Sequence, residues 1–220
     1  SPLLLALMLV VRLTSRGPAI LRQERSGLNG STFGMYKLRS MRANAEADSG
    51  AVWARKRDPR VTPIGRVMRF LHLDELPQLA NIVAGHMSFV GPRPERPVFV
   101  DQLAEEIPGY VHRLSVLPGV TGLAQVNLAP DQTVNCVRRK LELDLQYVFL
   151  CGWDVELRII ACTLLKMMAV PRSIACRLTL VNVKSDVYTP ALVPGTSPAA
   201  ADGSRRAAVA DDAAAPAAVA

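Results

Sequence analysis

The sequence LDELPQL, residues 73–79, places two adjacent carboxylates, Asp74 and Glu75, inside an otherwise apolar segment. A carboxylate in apolar surroundings is unfavourable unless it is paired, bound to a metal or hydrogen-bonded. The pair therefore predicts a nearby cation, which a divalent metal bound together with a phosphate-bearing substrate would supply. We expect the chemistry of the protein at this pair.

The pattern around the pair is typical of a helix start. Asp74 is a favoured N-cap residue, Glu75 would complement the helix dipole, and Pro77 is tolerated in the first turn. Capping alone is the commoner explanation of such a pair. Arg69, five residues earlier, and the free N–H groups of a helix start favour a phosphate site as well. Such a site could hold a metal between one carboxylate and a diphosphate while the other carboxylate attacks phosphorus.

A second candidate is Arg93, which lies in SFVGPRP, residues 88–94. The flanking prolines fix the backbone, so the guanidinium loses little entropy on binding. Arginine is also the side chain best suited to bidentate contact with phosphate. The alternative is an ordinary arginine in a surface loop, and the tetrapeptide GPRP alone does not decide between them.

Three further candidates are charged residues in regular patterns. Lys37 and Arg39 alternate with less polar neighbours, which places both cations on one side of an extended segment. A solvated strand face is the alternative for these two. Asp144 shares a helix face with Tyr147 at i,i+3 spacing, and an exposed helix acid is an equally good interpretation.

Composition restricts the class of protein. The chain has 220 residues, a net charge of +7 and 50% hydrophobic residues, which indicates one domain with a real core that meets anions. Aromatic residues make up only 5% of the chain, which argues against single-stranded nucleic acid as the anion. The four cysteines show no CxxC spacing, so a zinc site is not expected. We expect them to be buried thiols in a reducing compartment.

The N-terminal segment LLLALMLVVRL, residues 3–13, carries one charge. It is too short to cross a bilayer, which needs about 20 apolar residues. One interpretation is a core helix; the other is an anchor at the cytoplasmic leaflet. The anchor is favoured because seven basic residues and one acidic residue follow between residues 12 and 42: Arg12, Arg16, Arg22, Arg25, Lys37, Arg39, Arg42 and the acidic Glu24.

Hydrophobic periodicity and turn signals predict a mainly helical α+β fold with short strands. The strands are predicted at residues 19–22 and 33–41 around a turn at 27–30. Helices are predicted at 64–71, 76–83, 98–107, 137–149 and 155–168. A loop is predicted at 44–60, a tight turn at 117–122 and an extended piece at 123–126. From about residue 190 the composition predicts disorder.

Seven motifs in order resemble the bacterial sugar transferase family, the monotopic polyprenyl-phosphate phosphoglycosyl transferases. They are RQERSG (22–27), YKLRSM (36–41), DPRVT (58–62), LDELPQL (73–79) with Asn81, MSFVGPRP (87–94), PGVTGLAQVN (118–127) and LELDLQY (141–147). The resemblance covers roughly residues 1–168, and this many motifs in register make a chance match untenable.

The resemblance implies Mg²⁺-dependent transfer of a sugar phosphate from a UDP-sugar to polyprenyl (undecaprenyl) phosphate, with release of UMP. Asp74 resembles the nucleophile that forms a covalent phosphosugar-aspartyl intermediate, and Glu75 its partner on the metal side. Residues implicated by the resemblance in binding phosphate or substrate are Lys37, Arg39, Arg69, Arg93, Gln125 and Asp144.

The resemblance also implies a single monotopic catalytic domain on the cytoplasmic face of the bacterial inner membrane. Ser1-Pro2 falls at the expected break of a re-entrant helix, so we expect the first half of that helix to precede Ser1. The resulting boundaries are 1–16 for the membrane helix, 17–172 for the catalytic domain, 173–189 for an extension and 190–220 for a disordered tail. The sequence leaves the oligomeric state open, a homo-oligomer included.

The rival class is a non-enzymatic basic protein that binds a membrane surface or nucleic acid. Such a protein needs cations spread over one face, whereas the candidate residues gather around carboxylates that repel nucleic-acid phosphate. We therefore expect no nucleic-acid partner.

Overall fold

The computed structural model describes residues 1–43, 45, 58–128 and 134–181. Most of the predicted loop at 44–60 and all of the predicted tail from 190 lie outside these residues. The α-helices are α1 (Pro2–Thr14), α2 (Pro63–Phe70), α3 (Leu79–Val83), α4 (Pro97–Glu106), α5 (Leu123–Asn127), α6 (Val134–Leu150), α7 (Trp153–Met167) and α8 (Arg172–Leu178). The strands are β1 (Ile20–Ser26), β2 (Thr32–Leu38), β3 (Ser88–Val90) and β4 (Gly119–Thr121), and 3₁₀ turns occupy Leu28–Gly30, Leu73–Gln78 and Tyr110–Ser115. The predicted mainly helical α+β class is confirmed.

The first two strands form an antiparallel hairpin whose register runs from Ile20 opposite Leu38 to Ser26 opposite Thr32. The reversal between them is possible because Asn29 and Gly30 take positive φ angles of 52° and 79°. Asparagine and glycine are the residues that adopt this conformation most easily. The predicted pair of strands is confirmed, although β1 is longer than expected and β2 ends three residues earlier.

Helix α1 packs one side onto this hairpin and onto α2. Val11, only 1% exposed, lies in a cluster with Ala19, Leu38 and Met68. Four leucines of the helix remain exposed, namely Leu3, Leu5, Leu9 and Leu13. Within the described ranges, no helix combines the length and the apolar character that crossing a membrane requires.

Strands β3 and β4 form a short parallel pair, with Ser88 opposite Gly119 and Val90 opposite Thr121. The tight turn predicted at 117–122 is therefore wrong over β4. Close packing explains the difference, because a Cβ on Gly119 would collide with the backbone nitrogen of Gly91. The glycine that signals a turn here serves instead to let two backbones approach.

Residues 123–126, predicted as extended, form helix α5. Leu123, Ala124 and Val126 are each 3% exposed or less, and the helix contacts α6, α7 and α8. A five-residue helix has little stability of its own, so tertiary packing rather than local preference decides its conformation.

The last predicted helices are confirmed as α6 and α7, and an additional helix, α8, follows them. Cys162 on α7 and Cys176 on α8 are the buried thiols that composition predicts, with their sulfurs 3.5 Å apart. Cys136 and Cys151 are exposed, so the prediction of buried thiols is wrong for these two. They lie near the two ends of α6, where the helix surface faces solvent.

Candidate active site

The Asp74–Glu75 pair lies in a 3₁₀ turn that immediately follows α2. His72 takes the cap position of this turn with a left-handed backbone, φ 54° and ψ 20°, and the turn runs from Leu73 to Gln78. The prediction that Asp74 is an N-cap is therefore wrong, because the reversal of the chain occurs two residues earlier. The helix predicted at 76–83 is divided between this turn and α3.

A side-chain amide fixes this turn against the hairpin. Asn81, which is 1% exposed, accepts a hydrogen bond from the backbone N–H of Tyr36 at 3.0 Å and donates one to the carbonyl of Gly34 at 2.8 Å. It thus completes the edge of β2 as another strand would. The geometry of the carboxylate pair relative to β2 depends on this contact, which motif spacing alone does not reveal.

Asp74 is 9% exposed and lies among opposing influences. Burial raises the pKa of its carboxyl, as does the charge of Glu75, whereas Arg69, its own backbone N–H and Arg93 lower it, and the net direction is upward. A carboxylate with few water contacts and an elevated pKa is more nucleophilic than a solvated one. Asp74 is therefore the better placed of the two carboxylates to attack an electrophile.

Glu75 has the opposite electrostatic character. Its Oε1 accepts a hydrogen bond of 2.6 Å from Nη2 of Arg93, and its Oε2 lies 3.9 Å from Nδ1 of His72. Burial alone would raise the pKa of this carboxyl, but the charge of Arg93 and the contacts with His72 bring it down to about 2. Glu75 is consequently ionised at any physiological pH.

Three cations surround the pair. Lys37, on β2, donates to Oε1 of Gln23 at 3.0 Å, and its pKa falls to about 8 because it is desolvated and faces Arg25, Arg69 and Arg93, with Asp74 acting in the other direction. Nε of Arg69 donates to the hydroxyl of Ser40 at 2.8 Å.

The surroundings shift the pKa values of Arg69 and Arg93 in opposite directions. Burial lowers the pKa of Arg69, although Asp74 opposes the shift. The charge of Glu75 raises the pKa of Arg93, which is 43% exposed and so open to a ligand. Lys37, Arg69 and Arg93 together form a cationic surface suited to a diphosphate.

The other three sequence-predicted binding residues make their polar contacts elsewhere. Arg39 donates to the backbone carbonyl and the hydroxyl of Ser15, at 2.8 and 2.9 Å, and so ties the end of α1 to the hairpin. The amide of Gln125 donates to the carbonyl of Val120 at 3.0 Å. Asp144 is 1% exposed and forms a buried ion pair with Arg113. Their substrate-binding roles stay predictions.

The donor set around Asp74 and Glu75 is compatible with a magnesium ion shared with a substrate. No cluster of three or more potential metal-binding side chains occurs among residues 1–43, 45, 58–128 and 134–181. Magnesium often uses one or two carboxylates and takes its remaining ligands from water and substrate phosphates. Two adjacent carboxylates meet that requirement, whereas a permanent all-protein site would need more.

Comparison with known proteins places this fold and site in a family. Residues 1–170 match the profile of the bacterial sugar transferases, and the chain belongs to that family. The resemblance carried by the seven motifs is thereby confirmed.

Individual relatives narrow the comparison. The chain is 45% identical to a UDP-N-acetylgalactosamine-undecaprenyl-phosphate N-acetylgalactosaminephosphotransferase of Aeromonas hydrophila, over 67% of this chain and 35% of the relative. It is 41% identical to a UDP-glucose:undecaprenyl-phosphate glucose-1-phosphate transferase of Klebsiella pneumoniae, over 76% and 36%. It is 39% identical to the exopolysaccharide production protein PSS of Rhizobium leguminosarum bv. phaseoli, over 73% and 82%. The chain thus spans about a third of the length of the first two relatives.

Proposed function

We propose that this protein transfers a sugar 1-phosphate from a UDP-sugar to polyprenyl (undecaprenyl) phosphate and releases UMP. The observation that carries the proposal is the pair of unlike carboxylates, one buried with a raised pKa and one ionised, beside three cations. The names of two relatives, from Aeromonas hydrophila and Klebsiella pneumoniae, support the proposal. Each name contains a UDP-sugar and undecaprenyl phosphate.

The first step would use Asp74 as nucleophile. An oxygen of its carboxylate attacks the phosphorus that bears the sugar, and the bond from that phosphorus to the bridging oxygen breaks. UMP leaves with the bridging oxygen and its electron pair, and the sugar phosphate remains on Asp74 as an acyl phosphate. Lys37, Arg69 and Arg93 offset the negative charge that accumulates during this displacement.

The second step would restore the enzyme. A phosphate oxygen of the polyprenyl acceptor attacks the same phosphorus, and the bond between phosphorus and the Asp74 oxygen breaks. The products are a polyprenyl diphosphate sugar and a free carboxylate, so the cycle needs no further reactant. A covalent intermediate of this kind divides one difficult displacement into two easier ones.

Glu75 would act beside the nucleophile. Its low pKa keeps it charged, and its contact with Arg93 sets the direction of that guanidinium. Together with Asp74 it would hold Mg²⁺ when the donor diphosphate binds. The ion would supply charge neutralisation at the diphosphate.

We place the reaction at the cytoplasmic face of the bacterial inner membrane, where the lipid acceptor resides. The exposed leucines of α1 and the basic residues that follow it support a monotopic, re-entrant attachment with its helix break at Ser1-Pro2. The non-enzymatic alternative is not favoured, because Lys37, Arg69 and Arg93 converge on carboxylates instead of forming a uniformly positive surface.

Asp74→Asn tests the nucleophile directly. The amide cannot form the acyl phosphate, so we expect UMP release from UDP-glucose and UDP-N-acetylgalactosamine to fall by at least about 10³-fold and no phosphosugar adduct to be trapped. Membrane-extracted protein is mixed with the UDP-sugar and polyprenyl phosphate, and the released UMP is measured. The adduct is detected from the intact mass of the protein. Asp101→Asn, an exposed carboxylate on α4, is the matched control. Normal turnover by the Asp74 variant would refute the assignment.

A further inference from the structure

One face of α6 lies against the segment that carries Arg93. Lys140, Asp144 and Tyr147 occupy positions i, i+4 and i+7 and therefore share that face. Nζ of Lys140 donates to Oε1 of Glu95 at 2.7 Å. The hydroxyl of Tyr147 has two acceptors within reach, the carbonyl oxygen of Val90 at 3.1 Å and Oε1 of Glu156 at 3.3 Å.

The segment itself, residues 92–95, is held through its carbonyl groups; we call it the Arg93 loop. Four successive carbonyls each accept a hydrogen bond from a different part of the chain. The donors are Gly119 N–H to Pro92 (3.0 Å), Arg113 to Arg93 (3.0 Å), Arg25 to Pro94 (3.0 Å) and Ser26 N–H to Glu95 (2.9 Å). Because proline has no N–H, these acceptors are the main means by which the backbone of the loop can be fixed.

Arg113 is the donor that connects this loop to α6. Its Nε and Nη2 both donate to Oδ2 of Asp144, at 2.9 and 2.7 Å. Nη2 also donates to the carbonyl of Arg93, and Nη1 donates to the hydroxyl of Tyr110 at 3.1 Å. The Arg113 and Asp144 side chains are 1% and 2% exposed, so both make their contacts inside the protein.

We propose that Asp144 and Arg113 are positioning residues for the sugar-phosphate transfer: Asp144 orients Arg113, and Arg113 fixes the Arg93 carbonyl so that the Arg93 side chain meets Glu75. This inference rests on the proposed function and gives Asp144 a role other than substrate binding. Arg93 is then directed from both ends, at its side chain by Glu75 and at its backbone by Arg113.

The chemistry of the guanidinium favours this role over simple core packing. A buried ion pair contributes little net stability compared with apolar residues of similar volume. The fork of N–H groups on its arginine, however, imposes a fixed geometry. Arg113 uses that fork to contact a carboxylate, a hydroxyl and a backbone carbonyl at once. A lysine ammonium keeps the charge but cannot reproduce those three directions together.

Arg113→Lys is therefore the test variant, and Arg139→Lys, on the exposed part of α6, is its control. A displacement of about 1 Å in a reacting group can reduce a rate by about 10²-fold. We expect Arg113→Lys to lower the rate of UMP release at saturating UDP-sugar by about 10- to 100-fold with a smaller change in KM, and the control to change neither.

A double-mutant cycle separates positioning from general structural damage. Once Arg93→Ala has removed the side chain, Arg113→Lys should change the remaining rate by less than about twofold. Independent, multiplying losses would overturn the proposal. If Arg113→Lys does not fold, the cycle uses Tyr110→Phe, which removes the hydroxyl that Nη1 of Arg113 contacts. We expect a smaller loss for Tyr110→Phe alone and none in the Arg93→Ala background, and independent losses there also overturn the proposal.

Hydrogen exchange distinguishes failure of this inference from failure of the proposed function. If the wild-type protein releases no UMP, the function is wrong, but the loop can still be measured. The amide protons of Ser26 and Gly119, which bind the Glu95 and Pro92 carbonyls, should exchange faster in the folded Arg113→Lys or Tyr110→Phe variant than in the wild type. Unchanged exchange at both amides would overturn the positioning role.

Discussion

Two carboxylate–guanidinium pairs of the same chemistry lie at different depths in this protein. Glu75 and Arg93 are joined at 2.6 Å, with side chains 13% and 43% exposed. Asp144 and Arg113 are joined at 2.7 Å, with side chains 2% and 1% exposed. The contact distances are nearly equal, so distance does not distinguish the pairs and access to water does.

Exposure determines what each pair can do. The partly exposed pair can exchange partners, because water and incoming phosphate compensate for a broken contact. The buried pair cannot open without leaving a charge in the core. One pair is therefore suited to receive a substrate and the other to hold a fixed geometry, and the backbone of Arg93 connects them.

The largest expected effect is on the buried pair. Asp144→Ala leaves the Arg113 charge without its carboxylate, and we expect the free energy of unfolding to fall by about 3–5 kcal/mol. Urea denaturation followed by circular dichroism measures it. Asp101→Ala on the exposed side of α4 should stay within about 0.5 kcal/mol of the wild type. A loss below about 1 kcal/mol for Asp144→Ala would show that the two pairs do not differ in kind.

Removing the charge of Glu75, in the partly exposed pair, should lower activity and leave the free energy of unfolding nearly unchanged. Glu75→Gln keeps the shape of the side chain but gives up the ionised oxygen that faces Arg93, so we expect kcat/KM for UMP release to fall by about 10²-fold. The free energy of unfolding should change by less than about 1 kcal/mol. Glu105→Gln, exposed on α4, is the control. A large loss of stability with intact turnover would reverse the assignment of the two pairs.

A smaller effect is expected from pH, through the cation beside the exposed pair. The pKa of Lys37 is lowered to about 8, so this side chain is charged below that pH and loses its proton above it. Because the charge offsets that of the diphosphate, kcat/KM should fall as the pH rises through 8, to about a tenth of its plateau at pH 9.

Lys37→Arg is the matched variant for this pH profile. The guanidinium keeps its charge throughout the range, so the decline above pH 8 should disappear even if the plateau is lower. Persistence of the decline in the variant would assign it to another group.

The smallest effect concerns His72, whose strained backbone orients the exposed pair. Glycine adopts its φ of 54° without steric cost, so His72→Gly should raise the free energy of unfolding by up to about 1 kcal/mol. Activity should fall by less than about threefold, since the His72 side chain is 57% exposed and lies 3.9 Å from Glu75. Gly85→Ala, at a φ of 75° with open space around its Cβ, is the converse control and should lower stability. A lower free energy of unfolding for His72→Gly would show that the contacts of the His72 side chain outweigh the strain of its backbone.

The grouping of residues around the partly exposed pair could be predicted from the sequence because its members lie in short motifs. Asp74 and Glu75 are adjacent, and Arg69 and Arg93 follow a recognisable spacing around them. The buried end could not, because Arg113 and Asp144 are 31 residues apart and meet only through the packing of α6. The three-directional role of Arg113 leaves no local pattern in the chain.

Arg39 shows how a correct local pattern fails at a boundary. Its alternation with Lys37 assumes a strand through residue 41, but β2 ends at Leu38 and Met41 forms only an isolated bridge with Val61. The turn predicted over residues 119–121 is wrong for the opposite reason. A glycine with turn-like neighbours lies there in a parallel strand pair that only tertiary contact specifies.

The four carbonyl contacts of the Arg93 loop limit how the length of this segment can vary. Each peptide between Pro92 and Glu95 has its own donor, and those donors come from the strand β1, the start of β4 and the side chains of Arg25 and Arg113. A substitution at one position leaves the other contacts in place, whereas an inserted or deleted residue puts every following carbonyl opposite the wrong donor. The loop should therefore tolerate changes of side chain during evolution or engineering far better than any change in its number of residues.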